Sequence, residues 1–92
     1  METERLGRYT AAMPRFYFDL CNGDGLVADE EGQDLPDAAA ARQAALIDAR
    51  SIMSDEITSK GQLDLASYID ILFEDRSLLE RLTFGDAVQI SR

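Results

Sequence analysis

Residues 15–21 read RFYFDLC and alternate strictly between two faces of an extended chain. Successive side chains of a strand point to opposite faces, which puts Phe16, Phe18 and Leu20 on one face and Tyr17, Asp19 and Cys21 on the other. The next four residues, 22–25, read NGDG, and Asn-Gly and Asp-Gly pairs favour tight hairpin turns. This stretch therefore predicts a strand and a hairpin that leads into a short second strand over residues 26–29. Residues 33–35 are a candidate extension of the pairing.

A second alternating stretch, residues 68–73, predicts another strand, with Ile69, Ile71 and Phe73 facing the core and Tyr68, Asp70 and Leu72 facing away. Residues 74–77 form a predicted turn, and residues 78–84 a fourth strand with Leu82 and Phe84 as core residues. Glu80 falls on their side of the strand, and a bulge near Leu79 would accommodate it. Residues 85–90 are predicted as a terminal strand or a docked extension.

Between the two hairpins, Pro36-Asp37 predicts the start of a helix, with Asp37 as its N-cap. Steps of 100° per residue gather the apolar residues into one arc, namely Ala38, Ala41, Ala45, Leu46, Ala49, Ile52, Met53 and Ile57. The alanines allow close approach to a sheet. Lys60-Gly61 predicts the end of the helix.

The order β-β-α-β-β predicts a small α+β domain over residues 13–92, with an antiparallel sheet of two hairpins and one helix packed on one face. Met13-Pro14 breaks any preceding helix, so residues 1–12 are predicted to be a flexible tail or an extension from an upstream start. Cys21 is the single cysteine, which precludes an intramolecular disulfide and fits a reducing compartment. The N-terminus has no apolar run typical of a secretion signal. We therefore expect a cytoplasmic protein.

The chain has 9 basic and 18 acidic residues and no histidine, a formal net charge of -9. No segment is basic, so the counterion release that drives most binding to nucleic acids is not available. Anionic membranes are disfavoured for the same reason, and no stretch approaches the length of a membrane span. We expect neither a nucleic-acid nor a membrane partner.

The ordered motifs resemble an uncharacterised family of short bacterial proteins, a domain of unknown function. The resemblance covers about residues 13–90 and lies in the MPRFYFD run at residues 13–19, the DG at 24–25, the DEEG at 29–32, the LPD helix start at 35–37, the AAR at 40–42 and the FGDAV at 84–88. It implies a start at Met13 and no particular activity. One departure is Asp75-Arg76-Ser77, where the family tends to have an Asp-Gly-like turn.

Catalysis by carboxylates is one hypothesis for the outer side of the sheet. Asp19 and Asp70 share the side opposite the core residues, and Arg81 on the fourth strand would bridge them if the strands are neighbours. An ionic ladder on a solvated face fits the same pattern and is the favoured interpretation. Cys21 lies among acidic residues that disfavour a thiolate nucleophile. A hydrolase-like enzyme is the least favoured hypothesis, and we expect a protein that is not an enzyme.

Five carboxylates crowd residues 29–37, and Asp24 precedes them. An irregular divalent-cation site would draw on Asp24, Asp29 and Glu31, although the spacing does not match a calcium loop. A solvated turn followed by the Asp37 helix cap is the favoured interpretation. We expect no bound cofactor.

Arg42 lies within the apolar arc of the helix. Three roles fit this position: a side chain that extends its guanidinium to the rim, a structural salt bridge to Asp19, Asp29 or Asp37, or a grip on a ligand.

The predicted outer face carries Tyr17, Asp19, Tyr68, Asp70, Leu72 and Arg81. Exposed tyrosines contribute contact area at low entropic cost, so one interpretation of this face is contact with a protein partner or with another copy of the chain. The other is a solvated surface that has these residues without a partner. The first hypothesis is a non-enzymatic interaction module that acts through this face or a sheet edge. The alternative is a domain that binds a small ligand or a divalent cation through residues 24–37.

Overall fold

The computed structural model describes residues 13–91, and the predicted N-terminal tail lies outside them. The order of elements is β1 Arg15–Asn22, β2 Gly25–Val27, β3 Gln33–Asp34, α1 Ala38–Lys60, β4 Tyr68–Leu72, β5 Leu78–Thr83 and a 3-10 helix at Phe84–Ala87. The predicted α+β class with one helix between two antiparallel hairpins is confirmed. The additional strand β3 makes the order β-β-β-α-β-β.

The sheet is antiparallel and runs β2-β1-β4-β5, with β1 and β4 at its centre. β2 pairs with the end of β1, where Leu20 faces Val27, and β3 pairs with its beginning, where Arg15 faces Asp34. The stretch predicted as one strand over residues 26–29 therefore ends at Val27. The chain leaves the sheet after Val27 and pairs with β1 again only through the two residues of β3.

α1 covers the inner face of the sheet and is capped as predicted. The Asp37 carboxylate accepts a hydrogen bond from the Ala40 N–H at 2.8 Å, and Gly61 ends the helix with a φ of 66°. Three alanines of α1 face the sheet and have no exposed surface, namely Ala41, Ala45 and Ala49. The sheet residues Ile71 and Leu82 are also fully buried. The absence of longer side chains along this stripe lets the helix backbone lie close to the sheet.

The second half of the predicted helix arc is only partly correct. Met53 is buried, but Ile57 is half-exposed because it lines an open groove beside the C-terminal segment. Phe73 lies on the predicted side of the sheet, with its ring centre 6.3 Å from that of the buried Phe16, but β4 ends at Leu72 and the Phe73 side chain is 40% exposed. Its N–H donates to the Ser77 carbonyl, which closes the turn into β5.

The β4–β5 pairing contains the predicted bulge. Leu72 faces Leu78 and Ile71 faces Glu80, so Leu79 is the extra residue on β5. The bulge precedes Glu80 and leaves it on the helix side of the sheet. There Arg42 Nε donates to the Glu80 carboxylate at 3.1 Å. Arg42 thus forms a salt bridge, but not with Asp19, Asp29 or Asp37 as proposed from the sequence.

The chain after β5 is a docked extension and not a fifth long strand. Thr83 and Asp86 cap the 3-10 helix reciprocally through side chain and backbone, and Phe84 and Ala87 are buried against α1. Arg50 Nε donates to the Ala87 carbonyl at 2.7 Å. This bond fixes the C-terminal segment to the helix.

Candidate interaction face

The outer face of the sheet, opposite α1, brings together all six residues predicted for it. Residues directly opposite in an antiparallel pair share a face, and the register places Tyr17 beside Leu72, Asp19 beside Asp70, and Asp70 beside Arg81. We define the outer face by its strand residues and by Arg76 of the β4–β5 turn; the strand residues are Arg15, Tyr17, Asp19, Cys21, Leu26, Asp34, Tyr68, Asp70, Leu72, Leu78, Arg81 and Thr83.

The first cluster on this face joins β4 and β5. Arg81 donates to both carboxylate oxygens of Asp70, from Nε at 2.7 Å and from a terminal nitrogen at 3.0 Å. Its guanidinium carbon lies 3.9 Å from the centre of the Tyr68 ring. The bidentate bond and the ring together hold the planar cation in a defined orientation.

The second cluster repeats these components on β1, with the arginine supplied by the turn. Arg76 donates to the Asp19 carboxylate at 2.9 Å and to the Asp29 carbonyl at 3.0 Å, and it lies 4.8 Å from the centre of the Tyr17 ring. Asp19 is nearly buried, at 7% exposure. The expected bridge from Arg81 to both aspartates is therefore wrong, because each aspartate has its own arginine.

Sequence reasoning did not assign Arg76 to this face. The available signal was its position in a turn where an Asp-Gly-like pair was expected. An arginine side chain in the β4–β5 turn is long enough to contact the outer face of the neighbouring strand β1, where Asp19 lies. This pairing could not be predicted without the order of the strands.

Asp29, a predicted cation ligand, is occupied by backbone hydrogen bonds. One carboxylate oxygen accepts from the Phe18 N–H, and the other accepts from the N–H groups of Glu31 and Gly32, all at 3.1 Å. The Asp29 N–H in turn donates to Asp19 at 2.8 Å. Asp29 therefore connects the 29–32 turn to β1 at the point where neither β2 nor β3 pairs with it.

The other two candidate ligands, Asp24 and Glu31, are not gathered with Asp29. The Asp24 N–H donates to the Asn22 side chain in the β1–β2 turn, and Asp24 lines a polar recess of about 200 Å³ beside Lys60. Within residues 13–91, no three cysteine or acidic side chains lie close enough to hold a metal ion.

An apolar groove of about 400 Å³ lies on the other side of the molecule, between the end of α1 and the C-terminal segment. Its walls include Met53, Ile57, Leu63, Val88 and Ile90, with Arg50 at the rim. The groove explains why Ile57 is exposed despite its place in the apolar arc. The last turn of α1 and the C-terminal segment form two walls with no described segment between them.

The family comparison agrees with this architecture. The family model "Domain of unknown function (DUF6894)" matches residues 15–85, from the first residue of β1 into the 3-10 helix. The chain belongs to this family. The matched region contains the whole sheet and α1, so the family unit is the domain described above. No curated protein and no solved structure matches the chain.

Family membership in DUF6894 supplies no activity, so a functional conclusion rests on the geometry of the outer face. No helix within residues 13–91 has the length and apolar character needed to cross a membrane. The two arginine–aspartate–tyrosine clusters hold their guanidinium groups through ion pairs and ring contacts on one face of the sheet.

Proposed function

We propose that this protein is a non-enzymatic interaction module that binds another protein through the outer face of its sheet. The observation that supports this most is the pair of clusters in which an arginine is fixed over a tyrosine by an aspartate. Tyrosine and arginine are enriched in protein interfaces and dominate their energetic hot spots.

The geometry lowers the entropic cost of binding. Arg76 and Arg81 are held by their carboxylate and ring contacts, yet their side chains keep 44% and 51% of their surface exposed. Free arginine side chains lose about 0.5–1.5 kcal/mol of conformational freedom when an interface immobilises them. In this protein most of that ordering precedes binding.

The charge of the clusters favours a protein over a phosphate-rich partner. Each guanidinium is already neutralised by an aspartate, so neither acts as a free cation for a phosphate backbone. The remaining surface is acidic, with a formal net charge of -9 for the chain. We propose a cytoplasmic location in a bacterial cell, supported by the single cysteine and the resemblance to short bacterial proteins.

Affinity capture from an extract of the native host tests this proposal. Wild-type protein and a Tyr17→Ala/Tyr68→Ala variant are immobilised in parallel, and the bound proteins are quantified. We expect the double variant to lose at least about tenfold of the specific capture, because each ring supports a guanidinium of the face.

The matched control is Ile47→Ala, which removes an exposed apolar side chain from α1 on the opposite side. Circular dichroism and thermal melts establish that all three proteins are folded. Equal capture by the folded double variant and the wild type would contradict a role for the outer face.

A further inference from the structure

We infer that the partner of the outer face is a second copy of this chain. The inference rests on the proposed function and adds the identity of the partner. Its basis is the distribution of charge: the outer face carries three arginine–aspartate pairs, whose formal charges sum to zero, namely Arg15–Asp34, Arg76–Asp19 and Arg81–Asp70. The whole excess of -9 therefore lies elsewhere on the chain.

Two identical acidic chains repel each other in most orientations. Opposing charges of -9 contribute several kcal/mol of repulsion at low ionic strength when their centres are about 25 Å apart. A charge-balanced face offers an approach without local like-charge contacts. A basic partner, in contrast, would gain most by binding the acidic surfaces outside this face.

Shape distinguishes the outer face from the apolar groove. A groove is concave, and two identical concave surfaces cannot fill each other. The outer face is an antiparallel sheet surface that no helix within residues 13–91 covers, although Asp19 and Leu72 within it are buried. Two sheet surfaces pack against each other across about 10 Å. Self-association thus fits the sheet and not the groove.

The size of the face sets the expected strength. The four strands β2, β1, β4 and β5 have a mean length of five to six residues and lie about 4.8 Å apart, so they cover roughly 350 Å² per copy in projection. The total for two copies falls below the roughly 1,200–2,000 Å² of stable specific interfaces. The dimer is therefore transient, with an expected dissociation constant of about 0.1–1 mM, the weak range that suits an interface of this size.

Salt provides the decisive measurement. Screening shortens the range of repulsion from about 30 Å at 0.01 M to about 8 Å at 0.15 M ionic strength. Self-association through a neutral face therefore strengthens as salt is added. Binding between an acidic surface and a basic partner weakens under the same change.

Sedimentation equilibrium of the full chain between about 0.02 and 1 mM, at both ionic strengths, tests the inference. We expect the dimer dissociation constant to fall at least about tenfold at the higher salt concentration. Arg81→Glu gives the outer face a charge of -2 and is expected to abolish the dimer. Lys60→Glu makes the same change in net charge at the end of α1 and is expected to retain it at 0.15 M ionic strength.

A charge-swapped variant guards against loss of structure. Asp70→Arg/Arg81→Asp keeps the face neutral and the ion pair complementary, and it is expected to recover dimerisation that Arg81→Glu removes. A chain that stays monomeric to 1 mM at both salt concentrations would overturn the inference. In that case, host-protein capture that still depends on Tyr17 and Tyr68 would leave the proposed function standing. A dimer that survives Arg81→Glu but disappears in Ile57→Ser would overturn it in favour of the groove.

Discussion

Gly32 and Arg76 have the same backbone φ of 72°, although one has no side chain and the other has a long, charged one. Both lie in turns at the same end of the sheet, and both are connected to Asp29. The left-handed region suits glycine and strains other residues by about 1–2 kcal/mol. The turn at Gly32 therefore has the residue that this backbone conformation favours, and the turn at Arg76 does not.

The surroundings of Gly32 leave no choice of residue. A Cβ added to it would lie 2.8 Å from the Phe16 carbonyl oxygen and 3.0 Å from side-chain atoms of Arg15 and Tyr17. The Gly32 N–H donates to Asp29 in the same turn. Close approach to β1 and the left-handed backbone both require glycine here.

Arg76 has the same backbone conformation but a different balance of energies. Its side chain bonds to the Asp19 carboxylate and the Asp29 carbonyl and lies over the Tyr17 ring. A hydrogen bond to a charged group contributes about 1.5–3 kcal/mol, enough to offset the strain of the backbone. The comparison teaches that available space and side-chain bonds, and not φ alone, decide which residue a left-handed position holds.

Gly32→Ala should have the largest effect on stability of the substitutions considered for the two turns. The overlap with the Phe16 carbonyl and the left-handed backbone together should lower the free energy of unfolding by about 3 kcal/mol or more. The control is Gly61→Ala, whose φ of 66° is similar but whose added Cβ would meet nothing within 4 Å. It should cost only about 1 kcal/mol. Urea unfolding measures both, and equal losses would show that space at Gly32 does not matter.

Arg76 offers the complementary test, of intermediate size. Arg76→Ala keeps the backbone strain and loses the bonds to Asp19 and Asp29, so it should cost about 2 kcal/mol. Arg76→Gly loses the same bonds but relieves the strain, so it should cost about 1 kcal/mol. The alanine variant must therefore be the less stable of the two in urea unfolding. The reverse order would mean that Arg76 is not strained.

The two turns also show how far the sequence predicts this molecule. Alternation in residues 15–21 and 68–73, the Asp37 cap and Gly61 identify both central strands and the helix, because these signals are local. The faces of Tyr17, Asp19, Tyr68 and Asp70 follow from the same two-residue period. Local sequence patterns do not show which strands are neighbours, so contacts between strands cannot be predicted from them.

The misses all concern contacts between distant segments. Arg42 pairs with Glu80, 38 residues away, and Arg76 with Asp19, 57 residues away. Phe73 is exposed because β4 ends before it, and Ile57 is exposed because it lines an open groove. These outcomes depend on strand order and on where each element stops, neither of which has a periodic signature. The bulge at Leu79, in contrast, was predicted because Glu80 shares the side of Leu82.

Two aspartates near these turns should have smaller effects on stability, and their pKa values are shifted in opposite directions. Burial raises the pKa of Asp48 on α1, helped by the negative charge of Asp29, which anchors the first turn. Hydrogen bonds from the Ser77 hydroxyl and N–H lower the pKa of Asp75 in the second turn. The ordinary value is 3.8 for both.

The signs of the two stability effects follow from linkage. A raised pKa in the folded state means that Asp48 costs nothing below pH 3.8 and destabilises the fold as pH rises through its folded pKa. Asp48→Asn should therefore raise the free energy of unfolding at pH 7 by about 0.5 kcal/mol or less after solvent screening, which raises the melting temperature, and it should lose this effect in acid.

A lowered pKa means that Asp75 stabilises the fold above pH 3.8 and stops doing so as pH falls through its folded pKa. Asp75→Asn should therefore lower the melting temperature at pH 7, and this effect should also fade in acid. Thermal melts from pH 7 to pH 3 measure both effects, and Asp55→Asn, at an exposed position of α1, is the control. If the melting temperatures of the Asp48 and Asp75 variants shifted in the same direction at pH 7, the environments assigned to these two aspartates would be wrong.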